Sequence, residues 1–514
     1  MESSRRTTAQ NGRSTAVFIG ALLALRLAVN LLAAGKYGFH REELLHIDAG
    51  KHLAWGFLGK PPGISIAARF GSILGGSLVG YRVAPIVAGL VAAWLAGLLA
   101  RRLGGGRLAQ GLATLAVLLW PVSLRNSAFL APAAFDLMWW SIAFLVIVRV
   151  VQGPNPRWWL PWGLLWGLSL MKCYGAVIVG LATLLGLTAT AERALFKKIW
   201  PWGAVVLALA IASPHIAWLA RHRWALVALR DAVFLPQPGL SAVLRAVGRN
   251  MAAMLVVAPL LLLGFYRLLF SRALPSARLL AWGWLFAMAS LLLGVRPQLV
   301  APAFLPLVSA GAVMVEQARG WAGAWLRRGS VVFVLVVGLA GVPLSVPILP
   351  AEATSAYAGF LHRELGLSAP LTWKDGQVHE LPQDFADMLG WESLVATVSL
   401  MYHSLPPDIR AGTVVLTSDR GQAGAVNVMG KAYGLPLAVS TDADYFHWGP
   451  GALPGETLIG VGMSPGTMAL HYDIVETAAS VVTKFARQAT VHILVCAEPH
   501  GNLQELWPLL GQMK

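Results

Sequence analysis

This chain is poor in charge. Only 12% of its 514 residues are charged and 57% are hydrophobic, with a mean hydropathy of +0.64. Ordinary soluble domains carry about a quarter charged residues, so that class is excluded and several membrane spans are the leading expectation. Acid is scarcer still, with 24 Asp and Glu against 40 Lys and Arg. The resulting net charge of +16 would suit a nucleic acid. The basic residues, however, sit mainly in short links between apolar runs, as in cytoplasmic loops of membrane proteins, and no nucleic-acid partner is expected. Cysteine is nearly absent. Cys173 and Cys496 lie far apart, which argues against a disulfide framework and leaves two small packing residues. Internal repeats and low-complexity tracts are missing as well.

Long apolar runs are abundant instead. A spanning helix needs roughly 20 apolar residues. The first run, 15–34, follows a polar start with Arg5, Arg6 and Arg13 and shows no small-residue cleavage signal, so it reads as an uncleaved signal anchor. Others lie at 82–100, 107–124, 132–151, 158–171, 173–190, 199–219, 250–266, 279–294, 298–315 and 329–348. They predict a mostly α, polytopic membrane protein of about eleven transmembrane helices. The segment 64–80 is apolar but carries Arg69 and many small residues, which suits a surface or re-entrant helix. The 21 Trp supply many rings for the membrane interfaces.

Charge then sets the topology. With the N-terminus in the cytoplasm, the links facing it are short and basic, such as Arg101-Arg102 with Arg107, Lys197-Lys198, and Arg327-Arg328. The opposite links are 35–63, 125–131, the tight turns at Lys172 and Arg296, 220–249, and everything after Pro350. Loop 220–249 breaks the pattern with Arg221, Arg223, Arg230, Arg245 and Arg249, which are candidate phosphate or headgroup contacts. After Pro350 acids appear and strand patterns alternate with helical ones. An amphipathic helix is expected over 381–404, strands over 413–417 and near 436–439, 457–461 and 491–495, and helices near 422–432 and 502–511. The chain therefore divides into a transmembrane domain, 1–349, and a small extracytoplasmic α/β domain, 350–514.

The loop from Tyr37 to Gly63 concentrates the polar chemistry. It holds adjacent carboxylates, Glu42 and Glu43, with His40, Arg41, His46 and Asp48 close by, and ends on Lys60-Pro61-Pro62. Asp136 heads the run 132–151, where an acid in an apolar segment is costly and marks a functional hypothesis. Lys172 and Arg296 sit in tight turns on the same predicted side; alone, each reads first as an interfacial snorkelling cation. Together these groups suit sugar transfer from a membrane lipid. A carboxylate takes the acceptor's proton as C1 is attacked, cations stabilise the departing phosphate, and the helices supply a groove for the lipid. His40, His46, His52 and the acids include ligand types for a divalent metal, but their spacing fits no recognised ligand pattern.

The loop resembles the first external loop of C-type membrane glycosyltransferases, and more closely bacterial members of glycosyltransferase family 39. That group is related to protein O-mannosyltransferases and lipid A aminoarabinose transferases. The matching text is Arg41-Glu42-Glu43-Leu44-Leu45-His46, Gly50, His52-Leu53-Ala54-Trp55-Gly56-Phe57 and Pro61-Pro62. It continues through Ala133-Ala134-Phe135-Asp136-Leu137 and Gly167-Leu168-Ser169-Leu170-Met171-Lys172, then 381–392, Ala423-Gly424-Ala425 and Trp448-Gly449-Pro450. The resemblance implies an inverting, single-displacement transferase in a bacterial inner membrane. It would use a polyprenyl-phosphate-linked sugar donor and a protein, lipid or glycan acceptor. It also implies that Glu42 is the catalytic carboxylate, Asp136 a second acid, and Lys60 a donor-phosphate contact. Arg41, Lys172 and Arg296 are further candidates for that phosphate.

The sequence departs from the family at Glu42, where Asp is usual. Either the backbone compensates for the extra methylene, or the base is Glu43 or Asp48, or the enzyme is a weak one. Leu45 and His46 replace an aromatic pair, and Ser418-Asp419-Arg420-Gly421-Gln422 replaces a polar segment. Two other readings use the same features: a transporter or flippase of a lipid-linked sugar, and a non-catalytic relative that binds a lipid-linked glycan.

Overall fold

The computed structural model describes residues 2–512 apart from Leu74, 236–240, 242–243, 245–246, 249–251 and Ala273, with side chains from residue 14 onward. Arg245 and Arg249, singled out above, lie outside the described residues. The first part is helical: α1 (Glu2–Ala34), α2 (Arg41–Ala49), α3 (Gly63–Ile73), α4 (Leu78–Arg102), α5 (Arg107–Leu119), α6 (Pro121–Asn126), α7 (Pro132–Gln152), α8 (Trp159–Leu170), α9 (Gly175–Thr188), α10 (Ile199–Arg221) and α11 (Trp224–Val233). Four longer helices follow, ending at Phe270, Leu292, Gln317 and Ser345.

Among the described residues seven helices are long and apolar enough to cross a membrane: Ser14–Ala34, Leu78–Arg102, Pro132–Gln152, Ile199–Arg221, Ala252–Phe270, Pro297–Gln317 and Gly320–Ser345. The remaining predicted runs form shorter helices, α5, α8, α9 and Arg278–Leu292. Thirteen residues of α5 reach only about 20 Å against a hydrocarbon core of about 30 Å. The physical reason is local. Pro121 ends α5 behind an extended Trp120, and a turn at 171–174 separates α8 from α9. The segment after the first loop is the short helix α3, which buries Ile64, Ser65 and Ala68 and exposes Phe70 and Ile73.

Close helix approach through small residues holds this bundle. A side chain at Gly311 would overlap the carbonyl of Leu260, and one at Gly264 would overlap that of Leu307. At one end of the bundle Glu316 accepts from the Leu108 N–H at 2.8 Å and Arg267 reaches Gln317 at 2.8 Å. The predicted opposite links gather at the other end. Leu130 N–H meets Glu43, Trp55 C=O meets His215, Phe234 bridges Val295, and Arg125 pairs with Asp384.

The C-terminal sheet domain sits on that second end. Its five strands, β1 (Val414–Thr417), β2 (Ala438–Ser440), β3 (Thr457–Val461), β4 (Tyr472–Val482) and β5 (Thr490–Pro499), are ordered β2-β1-β3-β5-β4. The pairs β1–β2 and β1–β3 are parallel, and β5 runs antiparallel to both β3 and β4. The strand β4 is absent from the sequence reading. It is an edge strand exposed along most of both faces, so no alternation marks it. The single helix expected over 381–404 is broken. Gln383–Ala386 is one turn, Gly390 takes φ +91°, and the helix proper is Trp391–Ser404. The break frees Asp384 and Asp387 to face the first loop.

That loop is built into the domain's core. Leu44 of α2 is fully buried with Leu394, Val395, Val415, Val426 and Ile459. The helix Arg420–Met429 lies against α2 so closely that a side chain at Gly424 would overlap Leu44. A segment near the N-terminus and one nearly 400 residues later therefore share one hydrophobic core. Cys173 and Cys496 are both free and buried, in the packing role expected of them.

Candidate active site

The first loop, read from the sequence without secondary structure, contains the helix α2. His40 is the N-cap: its Nδ1 accepts from the Glu42 N–H at 3.1 Å, and its own N–H donates to Glu43 Oε2 at 2.8 Å, a capping box. The adjacent carboxylates occupy the first turn, where the helix dipole favours their charge. From there they part. Glu43 points inward and is fully buried. Arg82 of α4, also fully buried, donates to both of its oxygens at 3.2 and 2.8 Å, and the Leu130 N–H adds a bond at 2.9 Å. With His40 N–H as a further donor, neither oxygen of Glu43 is left to face a substrate. Asp48 is likewise committed. Asn427 and Tyr445 donate to its Oδ2 at 2.7 and 2.8 Å, and Lys51 lies 3.1 Å from Oδ1.

Glu42 is the carboxylate that stays accessible, with a third of its side chain exposed. Arg420, the first residue of its helix, approaches Glu42 Oε1 at 3.2 Å. Burial pushes the Glu42 carboxyl upward. The Arg420 guanidinium, then Lys60, His46 and Arg41, outweigh it and hold the group well below the usual carboxylate range. His46 is itself held well below its ordinary value by burial, then by Lys60.

The other predicted residues are all engaged. Arg41 forms a fork with Asp419, with Nε at 3.0 Å from Oδ1, and lies 3.6 Å from Asp442. Lys60 sits in the tight turn bridged between Phe57 and Lys60, its ammonium 3.3 Å from Asp444 Oδ2. Lys172 does not snorkel. It is buried and paired with Asp136, and the Gly63 N–H donates to the neighbouring Met171 C=O at 2.8 Å. The Lys60 turn and the Asp136–Lys172 pair are thus joined through Gly63. Arg296 stands one layer out. Its Nε donates to the carbonyls of Asp231 and Phe234 at 2.9 and 3.1 Å, at the end of α11, against which Gly59 packs. Arg221, Arg223 and Arg230 are exposed.

The C-terminal domain supplies residues the sequence reading missed. Arg420 and Asp444 counter Glu42 and Lys60. Asp384 pairs with Arg125 and lies 3.7 Å from His40 Nε2, while Asp387 pairs with Arg487 at 3.2 Å. Lys374, exposed on the 372–378 turn, is in electrostatic reach of Glu42, Asp384 and Asp387. Acids are rare enough in this chain that their recurrence at 384, 387, 419, 442 and 444 was the available signal. The histidines proposed as ligand types go elsewhere: His40 stacks on Phe129 at 4.0 Å and His52 on Trp448 at 4.4 Å. Among the described residues no three of His, Cys, Asp and Glu converge as a metal would require.

The junction can be tested by stability. Removing the phenolic donor in Tyr445→Phe leaves the buried Asp48 short of a bond. A charged hydrogen bond of this kind contributes about 1.5–3 kcal/mol. Tyr445→Phe is expected to lower the melting temperature in detergent, with no change in the Arg82–Glu43 region.

Residues 59–218 match the family described as dolichyl-phosphate-mannose-protein mannosyltransferase. No curated protein matches the chain. Among solved structures it is similar to ArnT from Cupriavidus metallidurans in the apo state, at 14% identity and a TM-score of 0.61, over 94% of this chain and 98% of that one. The same protein bound to undecaprenyl phosphate matches at 14% identity and a TM-score of 0.59, over 93% of this chain and 97% of that one. The fold read from the sequence is therefore the fold observed, that of the C-type membrane glycosyltransferases.

Proposed function

We infer that this multi-pass membrane protein, similar to the mannosyltransferase and aminoarabinose transferase group, moves a sugar from a polyprenyl-phosphate donor to an acceptor beside its C-terminal domain. The observation that carries the reading is the placement of Glu42. It is the one carboxylate of the first loop with open surface, and cations stand around it. Sugar transfer needs a base beside C1 and positive charge beside the leaving phosphate. ArnT, with the same fold, has been seen with undecaprenyl phosphate bound, which supports a donor of that lipid class.

In this reading an acceptor hydroxyl or amine attacks C1 from the face opposite the phosphate and Glu42 receives its proton. Inversion follows from the single displacement. Lys60, on its stiff Pro-Pro turn, meets the phosphate. The Asp136–Lys172 pair fixes that turn from below through Gly63, and Arg296 fixes it from the side through α11. Arg41 holds the Asp419 side of α2 in register. Glu43 and Asp48 position the loop. Residues 1–349 form the transferase domain, with the loop 35–63 as its catalytic segment, and residues 350–514 complete the site. The protein would lie in a bacterial inner membrane with its N-terminus in the cytoplasm and the C-terminal domain in the periplasm.

The electrostatics predict a pH profile. A carboxyl held below its ordinary value is fully ionised above that value and loses charge only as the pH falls through the lowered one. Transfer is expected to show no acid limb from this group between about pH 5 and 8, since even an unperturbed Glu titrates near 4.3. A limb centred near pH 6 in kcat/KM, which reports the free enzyme, would assign the base to another group.

The direct test is donor turnover. The purified protein is given a panel of polyprenyl-phosphate sugars with membrane extract as acceptor, and release of polyprenyl phosphate is followed by mass spectrometry. Release coupled to a glycosylated product supports the transferase. Donor that crosses liposomes unconsumed would support a flippase instead, and donor that binds without release would support a binding protein.

A further inference from the structure

Three cations of the site, Arg41, Lys60 and Arg420, are each already matched by a carboxylate. Arg41 is matched by Asp419, Lys60 by Asp444, and Arg420 by Glu42 itself. An incoming phosphate that takes up any of these three displaces a carboxylate from it. The three differ in how firmly they are held. Arg41 grips Asp419 through two nitrogens with its side chain 11% exposed. Lys60 is 13% exposed against an Asp444 that is 3% exposed. Arg420 is 30% exposed, and only its Nη2 contacts Glu42. Its Nε is buried without a hydrogen-bond partner among the described residues. The backbone beneath it is fixed, the Arg420 N–H donating to Asp442 Oδ2 at 3.1 Å.

A second constraint points to the same residue. A carboxylate clasped by a guanidinium is a weak proton acceptor, because the contact stabilises its charged form. Glu42 can serve as a base only when that clasp opens. One side-chain movement meets both needs.

We propose that Arg420, from the C-terminal domain, is a charge-exchange residue that leaves Glu42 for the donor phosphate and thereby unmasks the base. The inference rests on the transferase reading above. The step balances as follows. The acceptor's oxygen or nitrogen forms a bond to C1 while the bond from C1 to the phosphate oxygen breaks, and its electron pair stays on that oxygen. The acceptor's proton passes to the freed Glu42. The phosphate goes from a singly charged diester to a monoester that carries a second negative charge, and Arg420 takes up that charge through the fork geometry suited to phosphate.

The test compares wild type, Arg420→Gln, Arg420→Lys and Glu42→Gln in the donor-turnover assay, with undecaprenyl phosphate added as product inhibitor. In Arg420→Gln the inhibition constant of undecaprenyl phosphate is expected to rise at least tenfold, and by more than the donor KM, because the product bears more charge. The acid limb of kcat/KM, which reports the free enzyme with the clasp closed, is expected to move to higher pH, with Lys60, His46, Arg41 and Lys374 still facing Glu42. Arg420→Lys keeps the charge without the fork and should fall between, and it serves as the folded comparison if the Gln variant is unstable. A residue that merely holds the fold would change neither the product-to-donor ratio nor the pH limb. Wild-type inhibition and pH profile in folded Arg420 variants, with Glu42→Gln inactive, would overturn the exchange and leave the transferase intact. Turnover that survives in Glu42→Gln would overturn the base assignment and the exchange with it.

Discussion

Glu42→Gln is expected to lower sugar transfer by about 10³-fold while the protein inserts and melts as wild type does. The substitution keeps the shape of the side chain and an oxygen that can still accept from Arg420, but removes the lone pair charge that receives a proton. Loss of a positioned general base costs about 10²–10⁴ in rate. The stability cost is small because the pair with Arg420 is partly exposed, with side chains 33% and 30% open, and such pairs contribute about 0–1 kcal/mol. The measurement is polyprenyl phosphate release beside a melting curve on the same preparation. Its force lies in the neighbours. Glu43 and Asp48 are the rival bases the sequence leaves open, and both are buried, with both oxygens of Glu43 bonded and Asp48 held by two bonds to Oδ2 and by Lys51 beside Oδ1. If either were the base, Glu42→Gln would turn over donor near the wild-type rate.

Arg82→Ala is expected to be the most destabilising single change near the site. The guanidinium is fully buried, donates to both oxygens of Glu43, and also caps the carbonyls of Ala34 and Gly38 at 2.7 and 2.8 Å. Removing it leaves the buried Glu43 charge with only the His40 and Leu130 N–H groups, a loss of about 3–5 kcal/mol for a broken buried pair. The protein should melt far lower in detergent or fail to accumulate in the membrane. The double variant Arg82→Met with Glu43→Leu removes both charges together and should recover much of the loss, since a buried pair replaced as a unit is often nearly neutral. A double variant no better than Arg82→Ala would mean that Arg82 acts through Ala34 and Gly38 rather than through Glu43. The same comparison separates the two carboxylates by kind: Glu42 variants change rate, and Glu43 variants change stability.

Part of this protein was written in its composition and spacing. Apolar runs bounded by basic links fix a multi-pass helical bundle, because backbone in hydrocarbon must satisfy its own hydrogen bonds and loop charge orients the spans. The same parity placed 35–63, 125–131, Lys172, Arg296 and the tail together, and contacts such as Leu130 with Glu43 and Arg125 with Asp384 join them. A carboxylate pair in an acid-poor chain marked the first loop. The helix α2 inside that loop was not read, since its N-cap is His40 and not the Ser, Thr, Asp or Asn that marks a helix start.

Tertiary structure alone decided what the carboxylates do. Glu42 and Glu43 are adjacent and alike in sequence, yet about 100° apart around the helix, so one faces Arg82 in the bundle and the other faces Arg420. Lys172 and Asp136 looked like independent ionisable groups until packing of α7 against the 171–174 turn made them a buried pair. The partners Arg420, Asp444, Asp384 and Asp387 lie more than 300 residues from the loop they serve. No periodicity links positions so far apart. They meet only because Leu44 is buried in the core of the C-terminal domain, which carries the loop and its countercharges to one place.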